Sequence, residues 1–195
     1  MSEIMPFPDK KYQIIYADPA WQYDDKALAG NRGAGCKYDV MAIDEIMALP
    51  IQDITATNCF LFMWGTWALL PQCLVVIKAW GFEYKTLGFL WTKKNKTKGG
   101  YSIGMGNYTR ANSEYCLLAV KGKPKIMRHK VTQIVDTSAR KHSQKPDIIR
   151  GRIVQLCGDL PRIELFARKQ IPGWDGWGAE SESPDEQIDD FIEGL

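Results

Sequence analysis

The sequence predicts one α/β domain built on a mainly parallel, covered sheet, and three observations carry that expectation. Short apolar runs alternate with helically spaced segments along the chain, the order expected of strand–helix–strand units. The first run, Tyr12 to Ala17 (YQIIYA), stops at Asp18-Pro19. A residue before proline is pushed out of the helical region, so Asp18 stands at a strand's carboxyl end, where open α/β sheets form their ligand clefts. The chain of 195 residues, 45% hydrophobic and 25% charged, is also long enough to bury a core of its own.

Taken in order, residues 1–11 form an N-terminal extension with prolines and charges but no apolar core, unlike a secretory signal. Residues 12–179 make up the domain. After Asp18, the segment Ala29 to Lys37 is too rich in glycine for a regular element and reads as a loop. Ile43 to Leu49 is helical with Asp44 near its start, Cys59 to Trp64 (CFLFMW) is a buried strand, and Thr66 to Trp80 has helical spacing up to Gly81. Although Cys59 to Trp80 is mainly apolar, Pro71, Gln72 and Lys78 interrupt it and its pattern changes at Gly65. A strand and a helix fit better than a membrane span, and the expected location is the cytoplasm.

The alternation continues through Tyr84 to Trp91 and Tyr115 to Val120, then a helix from Asp147 to Cys157 and a strand from Arg162 to Phe166. Between them, residues 92–113 have little apolar pattern and four glycines, and a loop of that length is more often functional than idle. It is expected to be a mobile basic insert. Residues 180–195 form an acidic tail expected to be disordered.

Five cysteines form no close pair and sit mostly among apolar neighbours, as reduced core thiols do. His129 and His142 are not spaced near them, so no metal site is expected. The net charge of +2 conceals an asymmetry, because seven acidic residues lie in the tail and leave 25 basic against 16 acidic elsewhere, a balance of +9. Ten basic residues between Lys93 and Lys130, with Tyr101 and Tyr108 among them, are opposed only by Glu114. Such a stretch suits a phosphate backbone, although any single charge run is by default a solvated surface.

The segment Asp18-Pro19-Ala20-Trp21 carries the chemistry. The N6 amine of adenine is a poor nucleophile because its lone pair is delocalised into the ring. A carboxylate and a backbone carbonyl can accept its two protons while an aromatic face holds the base flat. Asp18, the Pro19 carbonyl and the Trp21 ring supply those functions within four residues, and the proline stiffens the turn that positions them.

YADPAW (Tyr16 to Trp21), Tyr38-Asp39-Val40-Met41, CFLFMWGT, FLWTKKN (Phe89 to Asn95), NSEYCLLAVKGKP (Asn112 to Pro124), HSQKPD (His142 to Asp147) and IELFARKQIPGWDGWG (Ile163 to Gly178) follow one another along the chain. In these blocks the sequence resembles the adenine N6-methyltransferases of the MT-A70 type, a group with messenger-RNA enzymes and small bacterial and phage DNA enzymes. The resemblance runs from about Tyr12 to Gly178. It implies a Rossmann-like S-adenosylmethionine-dependent methyltransferase fold with helices on both faces of the sheet. Asp18 is then the amine acceptor near the donor's methionine end, Pro19 offers its carbonyl, and Trp21 and Tyr38 line the base pocket. Lys145 meets the donor's carboxylate; Glu164 and Arg168 face its ribose and methionine portions. Lys93, Lys94 and Arg110 become the expected backbone contacts. Two positions depart from the family: Ala20 replaces a second proline, and Ala179 replaces an asparagine that touches the donor's ribose, a loss of roughly 1 kcal/mol.

Competing readings belong to particular residues. Glu164 could serve a structural ion pair, Lys145 could be a plain surface lysine, and Trp64, Trp67, Trp80 and Trp91 are expected in core packing. The leading expectation is methyl transfer from S-adenosylmethionine to adenine N6 in DNA. The alternatives are transfer to RNA adenosine, a catalytically silent nucleic-acid-binding subunit, and an amino-methyltransferase for cytosine or protein glutamine. Related proteins often pair, so the expected assembly is a homodimer or a paired subunit.

Overall fold

A computed structural model describes residues 5–22, 40–95, 99–104, 108–138 and 144–178. The chain forms a seven-stranded sheet in the order β5-β3-β4-β2-β1-β6-β7. Its strands are β1 (Tyr12–Ala17), β2 (Thr55–Gly65), β3 (Glu83–Lys94), β4 (Ser113–Lys121), β5 (Ile134–Ser138), β6 (Arg162–Leu165) and β7 (Asp175–Trp177). β1 pairs in parallel with both β2 and β6, β6 with β7, and β3 with β5, while β4 runs antiparallel between β2 and β3. The sheet is mainly parallel, as expected, with one reversed strand.

Alternate residues of the strands feed two apolar layers. Ile15, Ala17, Leu61, Met63 and Leu117 pack with helices α1 (Ile43–Ala48) and α2 (Leu70–Ala79), whereas Ile14, Tyr16, Phe60, Phe62 and Leu118 pack with α3 (Ile148–Cys157). Helices therefore cover both faces, and the period-two pattern decides which side chain meets which layer. Cys59, Cys73, Cys116 and Cys157 are buried and unbridged.

Local sequence explains the boundaries. The Glu45 carboxylate accepts the Ala42 backbone N–H at 2.8 Å, anchoring the start of α1, and Pro50 lies beyond its end. The segment expected as one helix over 66–80 begins instead with a 3-10 turn, Trp67–Leu69, before α2 takes over with Pro71 in its first turn. Proline's missing N–H costs nothing there. At Gly65 a Cβ would stand 2.5 Å from both the Cys73 sulfur and the Tyr115 hydroxyl, so the end of β2 has room for no side chain.

Three differences from the sequence reading stand out. β3 continues through Lys94 and β4 begins at Ser113, so the ends of the segment read as an insert belong to the sheet. Within it the Ser102 N–H donates to the Lys93 carbonyl at 2.6 Å and the Gly104 N–H to the Ala111 carbonyl at 2.7 Å. β5 and β7 went unread because one is largely polar at a sheet edge and the other only three residues long. Trp67 is 50% exposed rather than in the core; its ring lies edge-on to Tyr115 and its indole N–H donates to the Ser113 hydroxyl at 3.1 Å.

Candidate active site at the carboxyl end of β1

Chain order and spatial order part company at β1: the polypeptide goes on to β2 on one side and reaches β6, on the other, only near its end. That switch point is where a doubly wound sheet opens a crevice. Ala17 lies opposite Met63 of β2 and Leu165 of β6, and Asp18 emerges between them. The turn after it is held locally. The Pro19 carbonyl accepts the Trp21 N–H at 2.8 Å, which leaves it a second lone pair, and the Ala20 carbonyl accepts the Met41 N–H at 2.9 Å. Trp21 is 6% exposed and donates its indole N–H to the Trp64 carbonyl at 3.1 Å.

A chain of alternating charges lies along the crevice. The Lys145 ammonium is 2.7 Å from Asp18 Oδ2 and 3.6 Å from Glu114 Oε2, and Lys93 binds the other Glu114 oxygen. Burial raises the Asp18 pKa above the ordinary carboxylate value, an effect that Lys145 opposes without cancelling. Burial also acts to raise Glu114, but Lys145 and Lys93 outweigh it and hold this carboxyl below its usual range. Two carboxylates within one cluster thus titrate apart, Glu114 staying firmly ionised and Asp18 being the more easily protonated.

Glu164, 7% exposed, accepts a bidentate bond from Arg150 at 2.6 Å to each oxygen, and Arg150 also reaches Asp147 at 2.9 Å. The ion pair that competed with a ligand role for Glu164 is therefore present. Arg168, partly buried on the turn after β6, acts electrostatically to lower the Asp18 pKa. Gly178 packs so tightly on this turn that a Cβ would come within 2.7 Å of the Ala167 nitrogen.

Beneath the charges runs a row of aromatic rings, each under a cation. Lys93 lies 4.8 Å from the Trp91 ring centroid, Lys145 5.5 Å from Trp64, and Arg150 5.6 Å from Tyr16. Trp64 and Trp91 meet edge-on at 6.5 Å, and the Trp64 indole donates to the Tyr16 hydroxyl at 2.7 Å. Trp64 thus joins the Asp18 turn, through its carbonyl, to the Lys145 ammonium, through its ring.

Of the residues expected at the site, Asp18, Pro19, Trp21, Lys145, Glu164 and Arg168 come together around the carboxyl ends of β1 and β6, and Lys93 joins them through Glu114. Lys94 is instead paired with Asp136 at 2.7 Å, and Arg110 is exposed on the segment leading into β4. Tyr38 and Ala179 fall outside the described residues. Sequence reasoning passed over Glu114 and Arg150. A lone acid within a basic stretch was the available signal for Glu114; nothing local marked Arg150.

The sequence pattern of the MT-A70 family matches residues 12–180. The Type II methyltransferase M.MunI of a Mycoplasma species is 36% identical over 209 aligned residues, covering 97% of this chain and 85% of that protein. The human N(6)-adenosine-methyltransferase catalytic subunit METTL3 is 27% identical over 168 residues, covering 84% of this chain and 27% of the relative. A Medicago truncatula protein described as a putative N(6)-adenosine-methyltransferase MT-A70-like is 27% identical over 159 residues, 81% of this chain and 24% of the relative. The chain spans about a quarter of the length of these plant and animal proteins.

Proposed function

Because the chain belongs to the MT-A70 family, matched over residues 12–180, we propose that this methyltransferase modifies the N6 amine of adenine in DNA with S-adenosylmethionine as its donor. The observation that carries the reading is the Asp18–Lys145 pair, 2.7 Å apart at the switch point beside β1. Asp18 is the amine acceptor: its carboxylate takes one N6 hydrogen bond and the free lone pair of the Pro19 carbonyl takes the other, which localises the nitrogen's electrons. Trp21, clamped by Trp64, fixes the turn that holds both acceptors.

The residues around Asp18 fit the donor chemically. The donor's carboxylate matches the cations Lys145 and Arg168, both of which act on Asp18, and its ribose hydroxyls suit the remaining lone pairs of Glu164. S-adenosylmethionine supplies an electrophilic methyl group on a sulfonium. The chain's own part is to aim the amine, accept its proton at Asp18, and keep Asp18 ionised by means of Lys145.

DNA is favoured over RNA by the relative covered over 85% of its length, whose name marks it as a Type II methyltransferase. A duplex adenine must leave the stack before its amine can be aligned, at a cost of a few kcal/mol. Transfer of labelled methyl from S-adenosylmethionine to duplex DNA, compared with single-stranded RNA, tests the proposal. Labelling of DNA is expected; labelling of RNA alone would overturn the DNA assignment, and labelling of neither would favour a silent subunit.

A further inference from the structure

Two groups of cations in the fold contrast. On the crevice side, Lys93, Lys94, Lys145 and Arg150 each hold a carboxylate, namely Glu114, Asp136, Asp18 and Glu164. A phosphate would have to compete with an anion already in place. The run from Lys121 to Lys130 is the reverse. Lys121, Lys123, Lys125, Arg128 and Lys130 lie within ten residues that include no acid, and none forms an ion pair among the described residues. Four of them, Lys123, Lys125, Arg128 and Lys130, are exposed.

Strand polarity decides where this run lies. β4 is the reversed strand: Tyr115 faces Gly65 near the crevice, and Lys121 faces Cys59 at the other edge of the sheet. At about 3.3 Å per residue, β4 separates the two edges by roughly 25 Å. From there the chain is pinned to α3, the N–H groups of Met127 and Arg128 donating to the Leu156 carbonyl at 2.8 and 3.3 Å. By Ile134 the chain has returned to the level of Leu90 and Tyr115, and β5 runs on from there to Ser138 beside Lys94. The basic run thus starts a path from the far edge to the crevice along the α3 side. Next to it opens a cleft of ≈ 460 Å³ lined by Lys123, Lys125, Asn58, Met127, Leu160 and Asp159, the last held by Arg162 at 2.6 Å.

We propose that Lys123, Lys125, Arg128 and Lys130 hold the sugar–phosphate backbone of the nucleic-acid substrate flanking the target adenine. The inference rests on the reading of the chain as a nucleic-acid methyltransferase and specifies where that substrate lies. The dense positive charge, without an ion-pair partner among the described residues, suits a polyanion, because each neutralised phosphate releases a counterion. With one base pair per 3.4 Å of duplex, a 25 Å path corresponds to about seven base pairs beyond the target.

The test compares the full-length protein with its K123Q/K125Q/R128Q/K130Q variant, using fluorescence anisotropy on duplexes of about 8 and about 30 base pairs centred on adenine. Glutamine preserves side-chain length at exposed positions, and an unchanged thermal midpoint verifies the fold. The variant is expected to bind the long duplex about tenfold more weakly at low salt, with its logarithmic salt slope smaller by about 3.6, while the short duplex is bound within about twofold of the parent. R128Q alone should reduce the slope by about 0.9. An unaltered slope and long-duplex affinity would overturn the proposal, as would an equal loss on both duplexes. So would a run that captures polyglutamate but not duplex, which would assign the surface to an acidic protein. Failure of the functional reading is separately visible, because the parent protein would then transfer methyl to neither DNA nor RNA.

Discussion

Lys145 and Asp18 are 127 residues apart in the chain and 2.7 Å apart in the fold. The pair is unequal: burial raises the Asp18 pKa, and Lys145 is the largest influence pulling it down. In the proposed reaction Asp18 must be ionised to accept an amine proton, so activity should fall as pH drops through a value above the ordinary carboxylate range. Lys145→Met removes the opposing charge and should move that acidic limb to higher pH. The pH dependence of kcat/KM measures it, and a limb at the parent's position would show that Lys145 does not tune Asp18.

Asp18→Asn keeps the shape of the side chain but removes its charge. Methyl transfer should fall by about a hundredfold or more, the usual loss for a positioned general base. Circular dichroism should be unchanged, since the Asp18 backbone still follows β1. Near-parental turnover would remove Asp18 from the reaction centre.

Glu114 lies between two ammonium groups. Its depressed pKa means that its pairing stabilises the fold above the usual carboxylate range and that this contribution is lost as pH falls through the folded-state value. Glu114→Gln should therefore destabilise the protein by about 1 to 3 kcal/mol at neutral pH. The difference should vanish in acid, where the parent's Glu114 is also neutral. Urea unfolding at two pH values reads both outcomes.

Trp64 is the place to separate packing from positioning. Trp64→Phe retains a ring beneath Lys145 but loses the indole bond to Tyr16, while Trp64→Leu loses both. A buried cation–π contact is worth about 1 to 2 kcal/mol. Donor KM should thus rise by about five- to thirtyfold in the leucine variant and by much less in the phenylalanine variant. Equal KM values in the two variants would reduce Trp64 to a core residue.

Arg150 neutralises a carboxylate that is almost fully enclosed. Arg150→Met leaves Glu164 buried without its partner and should cost about 3 kcal/mol of stability. Adding Glu164→Leu should recover much of that loss, because an apolar pair of similar volume avoids the desolvation penalty. The denaturation midpoints of the single and double variants decide it.

Much of the molecule was legible from neighbouring residues. Tyr12–Ala17 read as a strand because a short, mainly apolar run ends at Asp18-Pro19, and α3 read as a helix from its spacing. The same local logic put Asp18 at a strand end, where it stands, and supplied Asp18, Pro19 and Trp21 as the reaction motif proposed above. Lys145 and Arg168 entered through resemblance in separate blocks, and the fold brings both to Asp18's side. The short strands β5 and β7 escaped because three to five residues hold too little periodicity to separate an edge strand from a turn.

The sequence by itself determined the α/β alternation, the carboxylate at the end of β1, and the concentration of positive charge between Lys93 and Lys130. Tertiary structure alone decided how those charges are used. Reversing β4 sends Glu114 to the crevice, where it binds Lys93 and Lys145, and Lys121 to the opposite edge, so one basic stretch becomes two surfaces. The physical reason is that periodicity is a property of adjacent residues, whereas a salt bridge across strands depends on register and direction. These are set by packing over the whole sheet.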